Sequence, residues 1–167
     1  QLHAQSEKLQ FLIDSLVKLS RLENGILQLS PQEEALKPML TLAVKETTSK
    51  AKAKGLALIL HDTDEKAYFD SKWTLEAICN ILDNAVKYTK EGSISLSVIA
   101  YEMFVRIDIK DSGIGIKEEE LPKIFSRFYR SEDTKNMEGV GIGLYLSRQI
   151  LSGEGGYIKV SSLYGQG

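Results

Sequence analysis

The sequence predicts an α+β fold: a two-layer α/β sandwich in which helices cover one face of a mixed sheet, preceded by a long N-terminal helix. Apolar residues follow helical and alternating patterns in turn, without the regular strand–helix alternation of a parallel α/β protein. Two alternating segments, 94–98 and 105–109, flank the turn "YEMF" and predict an antiparallel hairpin. Residues 1–29 carry a heptad pattern instead, which predicts a single extended helix.

Charge and composition exclude several classes of protein. The chain has 167 residues, which suits one domain with a helical extension. Its 21 basic and 23 acidic residues give a net charge of −2, so we expect no nucleic-acid partner. The single cysteine, Cys79, excludes an internal disulfide and a multi-cysteine zinc site, and we interpret it as a small core residue. No apolar run reaches the roughly 18 residues that span a bilayer.

The N-terminal helix has a narrow apolar seam that must be buried against something. Its apolar residues fall seven apart in two series, Leu2, Leu9 and Leu16, and Leu12, Leu19 and Ile26. One alternative is a helical bundle with another copy or with a segment outside the chain. The other is packing against the chain's own domain. The narrow seam favours the bundle, and Pro31 then ends the helix.

The remaining elements are predicted from turn residues and apolar periodicity. Pro38 suits the first turn of a helix that ends at Gly55, and Asp70 suits the N-cap of a helix that ends near Gly92. In order, the predicted elements are a helix over 38–54, a buried strand over 56–60, a strand over 67–70, the helix capped by Asp70, the hairpin, a short helix over 117–125, a helix over 143–152 and a final strand over 157–161. The polar stretch 130–139 predicts a mobile loop.

The stretch "NILDNAVKYT" (80–89) places three polar residues on one side of an otherwise apolar helix. Asn80, Asn84 and Lys87 follow each other at helical spacing, so they lie on one line. A solvated helix face is the simpler interpretation, but asparagine is a poor helix former. An amide oxygen can bind a hard cation such as Mg²⁺, and a lysine one turn on suits a phosphate. The line therefore indicates a Mg²⁺–phosphate site.

Two glycine-rich stretches accompany it. In "DSGIGI" (111–116), Asp111 follows an alternating strand, and the glycines allow a sharp turn or the close approach of a ligand. A carboxylate there can accept a hydrogen bond from the amino group of a purine. In "GVGIGLYLS" (139–147), three glycines open a helix whose N-terminal N–H groups suit a phosphate. Their spacing fits neither a Walker loop nor a Rossmann fingerprint.

The stretch "KIFSRFYR" (123–130) lies between these two. Phe125 and Phe128 are predicted to pack onto the domain. Arg127 and Arg130 either reach phosphates or are simply exposed, and the residues alone leave both alternatives open.

In their order along the chain, "NILDNAVKYT", "DSGIGI", "KIFSRFYR" and "GVGIGLYLS" resemble the N, G1, F and G2 boxes of bacterial sensor histidine kinases. The resemblance implies a Bergerat-type ATP-binding fold over 31–167, from which the closing C-terminal strand is missing. The stretch "LVKLSRLENGILQL" resembles the end of the second helix of the family's dimerisation and phosphoacceptor hairpin. Residues 1–30 would therefore be part of that hairpin.

The resemblance also implies a site that binds ATP and Mg²⁺. Asn84 would bind the Mg²⁺, Asp111 would accept a hydrogen bond from the adenine amino group, and Arg130 would contact a phosphate. Residues 130–139 would form a lid over the nucleotide. The other implied ATP-binding residues are Asn80, Lys87, Tyr88, Gly113, Gly115, Gly139, Gly141, Gly143 and Leu144.

The implied function is that of a kinase module. It would place the γ-phosphate of Mg·ATP for attack by a histidine outside this chain, for relay to an aspartate of a response regulator. The family's phosphoacceptor box is absent, since His3 is followed by Ala4 and Gln5, so no catalytic residue is assigned and no self-contained autophosphorylation is expected. The implied partners are ATP, a phosphoacceptor hairpin of the same or a partner subunit, a response regulator and a second copy bound through the N-terminal helix. The implied location is a cytoplasmic domain of a membrane-anchored sensor.

Two other functions stay open. One is a nucleotide-binding or dimerisation module without catalysis. The other is ATP hydrolysis, as in DNA gyrase, the mismatch-repair ATPases and the heat-shock chaperones, which this chain resembles in its Asp-Gly box. Those proteins carry a glutamate base one turn before the metal-binding asparagine, where this chain has Asn80, an amide that cannot accept a proton at neutral pH. Glu76, a further turn back, is a poor substitute.

Overall fold

A computed structural model describes residues 1–25, 28–131, 133 and 141–167 of the chain. Four α-helices and five β-strands lie in the described residues, together with a short 3₁₀ helix over Glu118–Lys123. The helices are α1 (Leu2–Glu23), α2 (Leu36–Ala53), α3 (Ser71–Tyr88) and α4 (Gly143–Gly153). The strands are β1 (Gln32–Ala35), β2 (Ala57–Leu60), β3 (Lys66–Phe69), β4 (Ser93–Ala100) and β5 (Val105–Asp111).

The main sheet is mixed, as predicted. Its strand order is β2-β4-β5, with β2 parallel to β4 and β4 antiparallel to β5. The hairpin predicted around "YEMF" is confirmed, because Ala100 pairs with Val105 at its closed end. β1 and β3 form a separate two-stranded antiparallel sheet. The predicted α+β fold is therefore confirmed.

One apolar cluster joins the helices α2 and α3 to the main sheet. Leu40 of α2, Leu82 of α3 and Leu96 of β4 are fully buried within it. The apolar face of α3 therefore packs onto the sheet, which fixes the direction in which its polar residues lie.

A second cluster joins α1 to α3 and α4. Leu19 of α1 is 2% exposed and shares this cluster with Trp73, Ala77, Leu146 and Ile150. Helix α1 therefore packs at its C-terminal end against the two helices that carry the first and last of the predicted site motifs.

One part of the apolar seam of α1 packs against the chain's own domain, and another part is exposed. Leu19 packs against the chain's own domain, whereas Leu2 is 85% exposed and Leu9 is also exposed. Ile26, the last residue of the predicted seam, lies outside the described residues. None of the described helices is both long and apolar enough to cross a membrane.

The observed strands differ from the predicted ones at three places. Segment 56–60 was expected to be buried, but β2 is an edge strand whose side chains alternate between exposed and half-buried. β1 was not predicted, because its polar sequence "QEEA" does not alternate and its pairing partner is β3, far along the chain.

The predicted final strand over 157–161 is the third, since no strand forms there. Ile158 and Val160 are half-buried and their neighbours are exposed, as the alternation indicated. Alternation reports which side faces the protein, but a strand also needs backbone partners on a neighbouring strand. The chain instead turns over 163–167, where the Leu163 N–H donates to the Gly167 carbonyl.

The helix that carries the N-box motif ends earlier than predicted, at Tyr88 rather than near Gly92. Lys54 provides the reason, because its Nζ donates to the carbonyls of Val86 and Lys87 at 2.6 and 3.0 Å. These are among the last carbonyls of the helix, which have no partner inside it. Thr89 follows with an extended backbone (φ −109°, ψ 119°).

Candidate functional site

Helix α3 is the platform of the candidate site, and it is fixed at both ends. Asp70 is its N-cap, as predicted, because Asp70 Oδ1 accepts a hydrogen bond from the Trp73 N–H at 3.0 Å. The other carboxylate oxygen accepts the Ser30 N–H at 2.8 Å. With Lys54 closing the C-terminal end, the polar line of α3 is held in one orientation.

The first site residue, Asn80, lies beside the start of α4. Its Nδ2 donates to the Gly143 carbonyl at 3.5 Å, and a Cβ added to Gly143 would lie 3.7 Å from Asn80 Cβ. Ser147, one turn into α4, donates to the Ala77 carbonyl of α3 at 3.1 Å. The structure therefore brings Asn80 together with Gly143, and Leu144 follows half-buried.

Asn84 lies one turn further along α3 and is half-buried. Its side chain forms none of the hydrogen bonds or ion pairs that join the described residues, so its amide oxygen can accept a ligand. Glu76, one turn before Asn80, differs: its carboxylate pairs with Lys18 of α1 at 2.7 Å. Across the described residues, no group of three or more His, Cys, Asp or Glu side chains surrounds a metal position.

The second group of site residues lies where α3 ends against the loop after β5. The Gly113 N–H donates to Asp111 Oδ1 at 2.9 Å, and the Ile114 N–H donates to the Tyr88 carbonyl at 3.1 Å. A Cβ on Gly113 would lie 2.6 Å from the Tyr88 carbonyl oxygen and 2.9 Å from both Asp111 Oδ1 and Thr89 Oγ1. Only glycine allows the two segments to come this close.

Gly115 and Lys87 belong to the same end of the site. A Cβ on Gly115 would lie 2.6 Å from the Leu163 carbonyl oxygen, and the Gly165 N–H donates to the Ile114 carbonyl at 2.7 Å. Lys87 Nζ lies 5.8 Å from the centre of the Tyr88 ring, within the range of a cation–π contact. Tyr88, Asp111, Gly113 and Gly115 are thus together at this end, and Lys87 lies beside them on the last turn of α3.

A backbone hydrogen bond joins the F-box and G2-box motifs. The Phe128 N–H donates to the Gly141 carbonyl at 2.9 Å, and Gly141 has a left-handed backbone with φ 72°. Phe128 is also left-handed (φ 62°) and is 50% exposed, so the prediction that it packs onto the domain is wrong. Here the tight turn at the motif directs the ring outward.

Part of the predicted site cannot be placed. Gly139 and the segment 134–140, which contains most of the predicted lid, lie outside the described residues. Arg130 is half-buried just before this segment.

Two surface cavities border the site residues. One, of about 350 Å³, is lined by Gly113 together with Lys90, Ser112 and Tyr164. The other, of about 330 Å³, is lined by Asn80. Asn84 and Asp111 line neither, so neither cavity alone accounts for the predicted set.

Cys79, which borders the Asn80 cavity, is not a candidate nucleophile. Burial raises the pKa of its thiol to about 12, and the hydrogen bond it donates to Glu46 adds to this shift. A thiol is nucleophilic only as a thiolate. Cys79 is half-buried and packs against the core cluster rather than lying inside it.

The structure adds one residue, Thr89, and several contacts that the sequence did not indicate. Thr89, immediately after α3, has a side-chain oxygen buried beside Gly113. Arg127, for which two alternatives were open, forms an ion pair with Glu23 of α1 and a hydrogen bond with Tyr145 of α4. No local pattern predicts these contacts, because each joins segments that are distant in the sequence.

The family described as histidine kinase-, DNA gyrase B- and HSP90-like ATPase matches residues 69–167, which is more than half of the chain and includes the N-, G1-, F- and G2-box motifs. The chain belongs to this ATPase family. Its α3, β4–β5 hairpin and α4 are therefore parts of the family's ATP-binding domain.

The relatives of this ATPase domain include sensor histidine kinases. GraS of Staphylococcus epidermidis and GraS of Staphylococcus haemolyticus are each 34% identical over 158 residues, which cover 93% of this chain. The same residues cover 46% of each relative, so the chain spans less than half of their length. These relatives and the family match confirm the prediction of a sensor-histidine-kinase ATP-binding module.

Solved structures agree with the fold of this ATPase domain. The Acinetobacter baumannii histidine kinase AdeS gives a TM-score of 0.83 at 24% identity, covering 98% of this chain and 77% of AdeS. Full-length ShkA in complex with AMPPNP gives a TM-score of 0.84 at 23% identity, covering 97% of this chain and 35% of ShkA.

Proposed function

We propose that this chain binds Mg·ATP and positions its γ-phosphate for transfer to a histidine outside residues 1–167. The observation that carries the proposal is the placement of Asn84. Its amide has no partner among the described residues and lies on α3 between Asn80–Gly143 at one end and Asp111–Gly113 at the other. A helix rises about 1.5 Å per residue, so these two ends are separate enough to hold different parts of a nucleotide.

The Asp111 end would bind the base. The Gly113 N–H occupies one oxygen of the Asp111 carboxylate and so fixes its orientation. The other oxygen can accept a hydrogen bond from the exocyclic amino group of adenine. Tyr88, Gly113 and Gly115 would shape the pocket, and Lys87 would face the phosphates. Full-length ShkA, which has the same fold, was solved in complex with AMPPNP, and this supports nucleotide binding by a chain of this fold.

The other end would bind the phosphates. Helix α4 begins at Gly143, and its free N–H groups and positive dipole end favour an anion there. Gly139, Gly141, Leu144 and Arg130 complete the proposed phosphate side.

Mg²⁺ fits this donor set. It prefers oxygen ligands, keeps several waters, and commonly takes only one or two protein groups together with substrate phosphates. Asn84 would supply that protein group. When bound, the ion neutralises charge on the phosphates, and α3 holds the Asn84 amide in place.

The arrangement favours phosphotransfer over ATP hydrolysis. Hydrolysis needs a base that removes a proton from the attacking water. Asn80 is an amide, and the Glu76 carboxylate is paired with Lys18 of α1. Without a positioned base, water is poorly activated, and a histidine brought in from outside is the better nucleophile.

Several features of the whole protein follow from this proposal. Residues 1–30 would be the end of the second helix of the dimerisation and phosphoacceptor hairpin, and 31–167 would belong to the catalytic domain. The exposed Leu2 and Leu9 would pair with a second copy. The full protein would pass the phosphate to an aspartate of a response regulator, and this part of it would lie in the cytoplasm beneath a membrane-anchored sensor.

The test measures ATP affinity by calorimetry and phosphotransfer to a separately produced hairpin that carries a phosphoacceptor histidine. We expect Asp111→Asn and Asn84→Asp to weaken Mg·ATP binding about tenfold or more, because each alters a polar contact at the ligand. Asp83→Asn is the matched control, since Asp83 lies on α3 but pairs with Lys50 at the surface. Unchanged affinity in Asp111→Asn and Asn84→Asp would refute the site. ATP binding without any phosphohistidine would refute the transfer and leave a binding module.

A further inference from the structure

Thr89 contains a buried oxygen that the proposed function does not use. The residue is 0% exposed. Among the described residues, its Oγ1 is the one buried side-chain nitrogen or oxygen without a hydrogen-bond partner. Leaving a buried hydroxyl without a partner destabilises the fold, and such groups are rare in native proteins. The position of Thr89 therefore calls for a functional explanation.

Three oxygens converge where Gly113 has no side chain. Thr89 Oγ1 and Asp111 Oδ1 each lie 2.9 Å from the point where a Cβ would be, and the Tyr88 carbonyl oxygen lies 2.6 Å from it. The Tyr88 carbonyl and the Asp111 carboxylate can only accept hydrogen bonds, and each already accepts one backbone N–H. Thr89 is therefore the only one of the three that has a hydrogen to donate.

The backbone at Thr89 limits where this hydrogen can go. Thr89 is extended, directly after the last residue of α3, and its β-branched side chain has few accessible χ1 positions. Full burial excludes water as its partner in this form. The Asp111 carboxylate, on the other side of Gly113, is the acceptor that gains most from a hydroxyl donor, since charged acceptors form the stronger hydrogen bonds.

We propose that Thr89 is a positioning residue for base recognition: when nucleotide binds, its hydroxyl donates to the Asp111 carboxylate and holds it toward the base. This inference rests on the proposed function, in which Asp111 reads the adenine amino group. The Gly113 N–H fixes one side of the carboxylate, and the Thr89 hydroxyl, directly after α3, fixes it from the other side. Gly113 is the residue that permits the contact, because any side chain there would separate the two oxygens.

The role has a consequence for selectivity. A well-oriented carboxylate accepts a hydrogen bond from the amino group of adenine, but it repels the carbonyl oxygen at the same position in hypoxanthine. Thr89 should therefore contribute to ATP affinity and contribute little to the affinity for inosine triphosphate. A purely structural role would affect both nucleotides equally.

The experiment measures the affinities of Mg·ATP and Mg·inosine triphosphate by calorimetry in the unmodified chain, Thr89→Val and Thr89→Ser. Valine keeps the shape without the hydroxyl, and serine keeps the hydroxyl. We expect Thr89→Val to lose about tenfold in ATP affinity while inosine triphosphate changes little. Thr89→Ser should retain the preference for ATP. The thermal midpoint of Thr89→Val should not fall, because the substitution removes an unpaired buried hydroxyl.

An equal loss for both nucleotides, or a loss for neither, in Thr89→Val would overturn the inference. If Thr89→Val does not fold, Thr89→Ala is judged by the same ratio of affinities. Absence of ATP binding by the unmodified chain would overturn the proposed function and this inference with it. Normal ATP preference in the unmodified chain and an unchanged ratio in Thr89→Val would overturn this inference alone.

Discussion

Gly113 lets three oxygens approach the backbone closely because it has no side chain. Oxygens of Tyr88, Thr89 and Asp111 lie 2.6–2.9 Å from the position that a Cβ would take. Two of these are on α3 or directly after it, and the third is at the end of β5. At the residue scale, the close approach of α3 to the loop after β5 depends on this one glycine, and so does the proposed base-side pocket.

We predict that Gly113→Ala destabilises the chain and weakens ATP binding. The added Cβ is closer to backbone and carboxylate oxygens than real contacts allow, so α3 and the loop must separate, at about 1–3 kcal/mol. Urea unfolding followed by Trp73 fluorescence and calorimetry with Mg·ATP measure the two effects. Gly156→Ala is the control, because its Cβ would meet only ordinary contacts at 3.5 Å and beyond. Equal behaviour of the two variants would contradict the prediction.

At the element scale, a hydrogen-bonded network ties the start of α3 to the end of α4. Glu154, which follows α4, accepts hydrogen bonds from the Asp70 N–H at 3.1 Å and from the Thr74 hydroxyl at 2.7 Å. Asp70 in turn caps α3 and accepts the Ser30 N–H. The two helices that frame the proposed phosphate side of the site are therefore held together at the end away from the proposed base pocket.

The stability of the fold depends on pH through the Glu154 carboxyl of this network. Burial raises the pKa of the Glu154 carboxyl above its usual 4.5, and the nearby Asp70 charge adds to the shift, although hydrogen bonds from Thr74 and Asp70 oppose it. The folded state therefore holds the proton more tightly than the unfolded state. The contribution of Glu154 to stability is largest below the unfolded-state pKa and declines as pH rises through the folded-state pKa.

We predict that Glu154→Gln removes this decline. The free energy of unfolding of the variant relative to the unmodified chain should rise between about pH 4 and about pH 7. Urea titrations at both pH values measure it, and Glu102→Gln, at an exposed turn, should show no such trend. A relative stability that falls over this range would contradict the sign of the shift.

At the scale of the whole molecule, the N-terminal helix and the ATP-binding domain form one packed unit. Leu19 enters the cluster around Trp73, and Glu23 bonds both Arg127 and Tyr145. Arg127 belongs to the motif next to the predicted lid, and Tyr145 lies in the first turn of α4. Apolar and polar contacts together thus join α1 to the proposed phosphate side of the site.

We predict that Leu19→Ala costs about 2–5 kcal/mol of stability, the usual range for a leucine truncated in a core. Trp73 is the single tryptophan and shares the cluster with Leu19, so its fluorescence should shift to the red as water reaches it. Leu2→Ala is the control, because Leu2 is on the same helix and exposed. An unchanged emission maximum in Leu19→Ala would show that α1 does not pack against this cluster in solution.

Local pattern explains most of what the sequence predicted correctly. The cap at Asp70, the β4–β5 hairpin and the start of α4 at Gly143 depend on residues close together in the chain, and all three are confirmed. β1 and the absent strand over 157–161 depend on backbone partners elsewhere; β1 was not predicted, and the prediction of a strand over 157–161 was wrong. Periodicity reports which side of a segment faces the protein, but it carries no information about the pairing partner.

The candidate site shows the same division. By itself, the sequence determined the fold class, the family and the line of Asn80, Asn84 and Lys87, because these depend on residue types at fixed spacing. Only the tertiary structure decided that Asn80 meets Gly143, that Arg127 binds Glu23 rather than standing free, and that Thr89 is buried beside Asp111 without a partner. Burial and hydrogen-bond pairing between distant segments are set by packing, and packing exists only once the whole chain has folded.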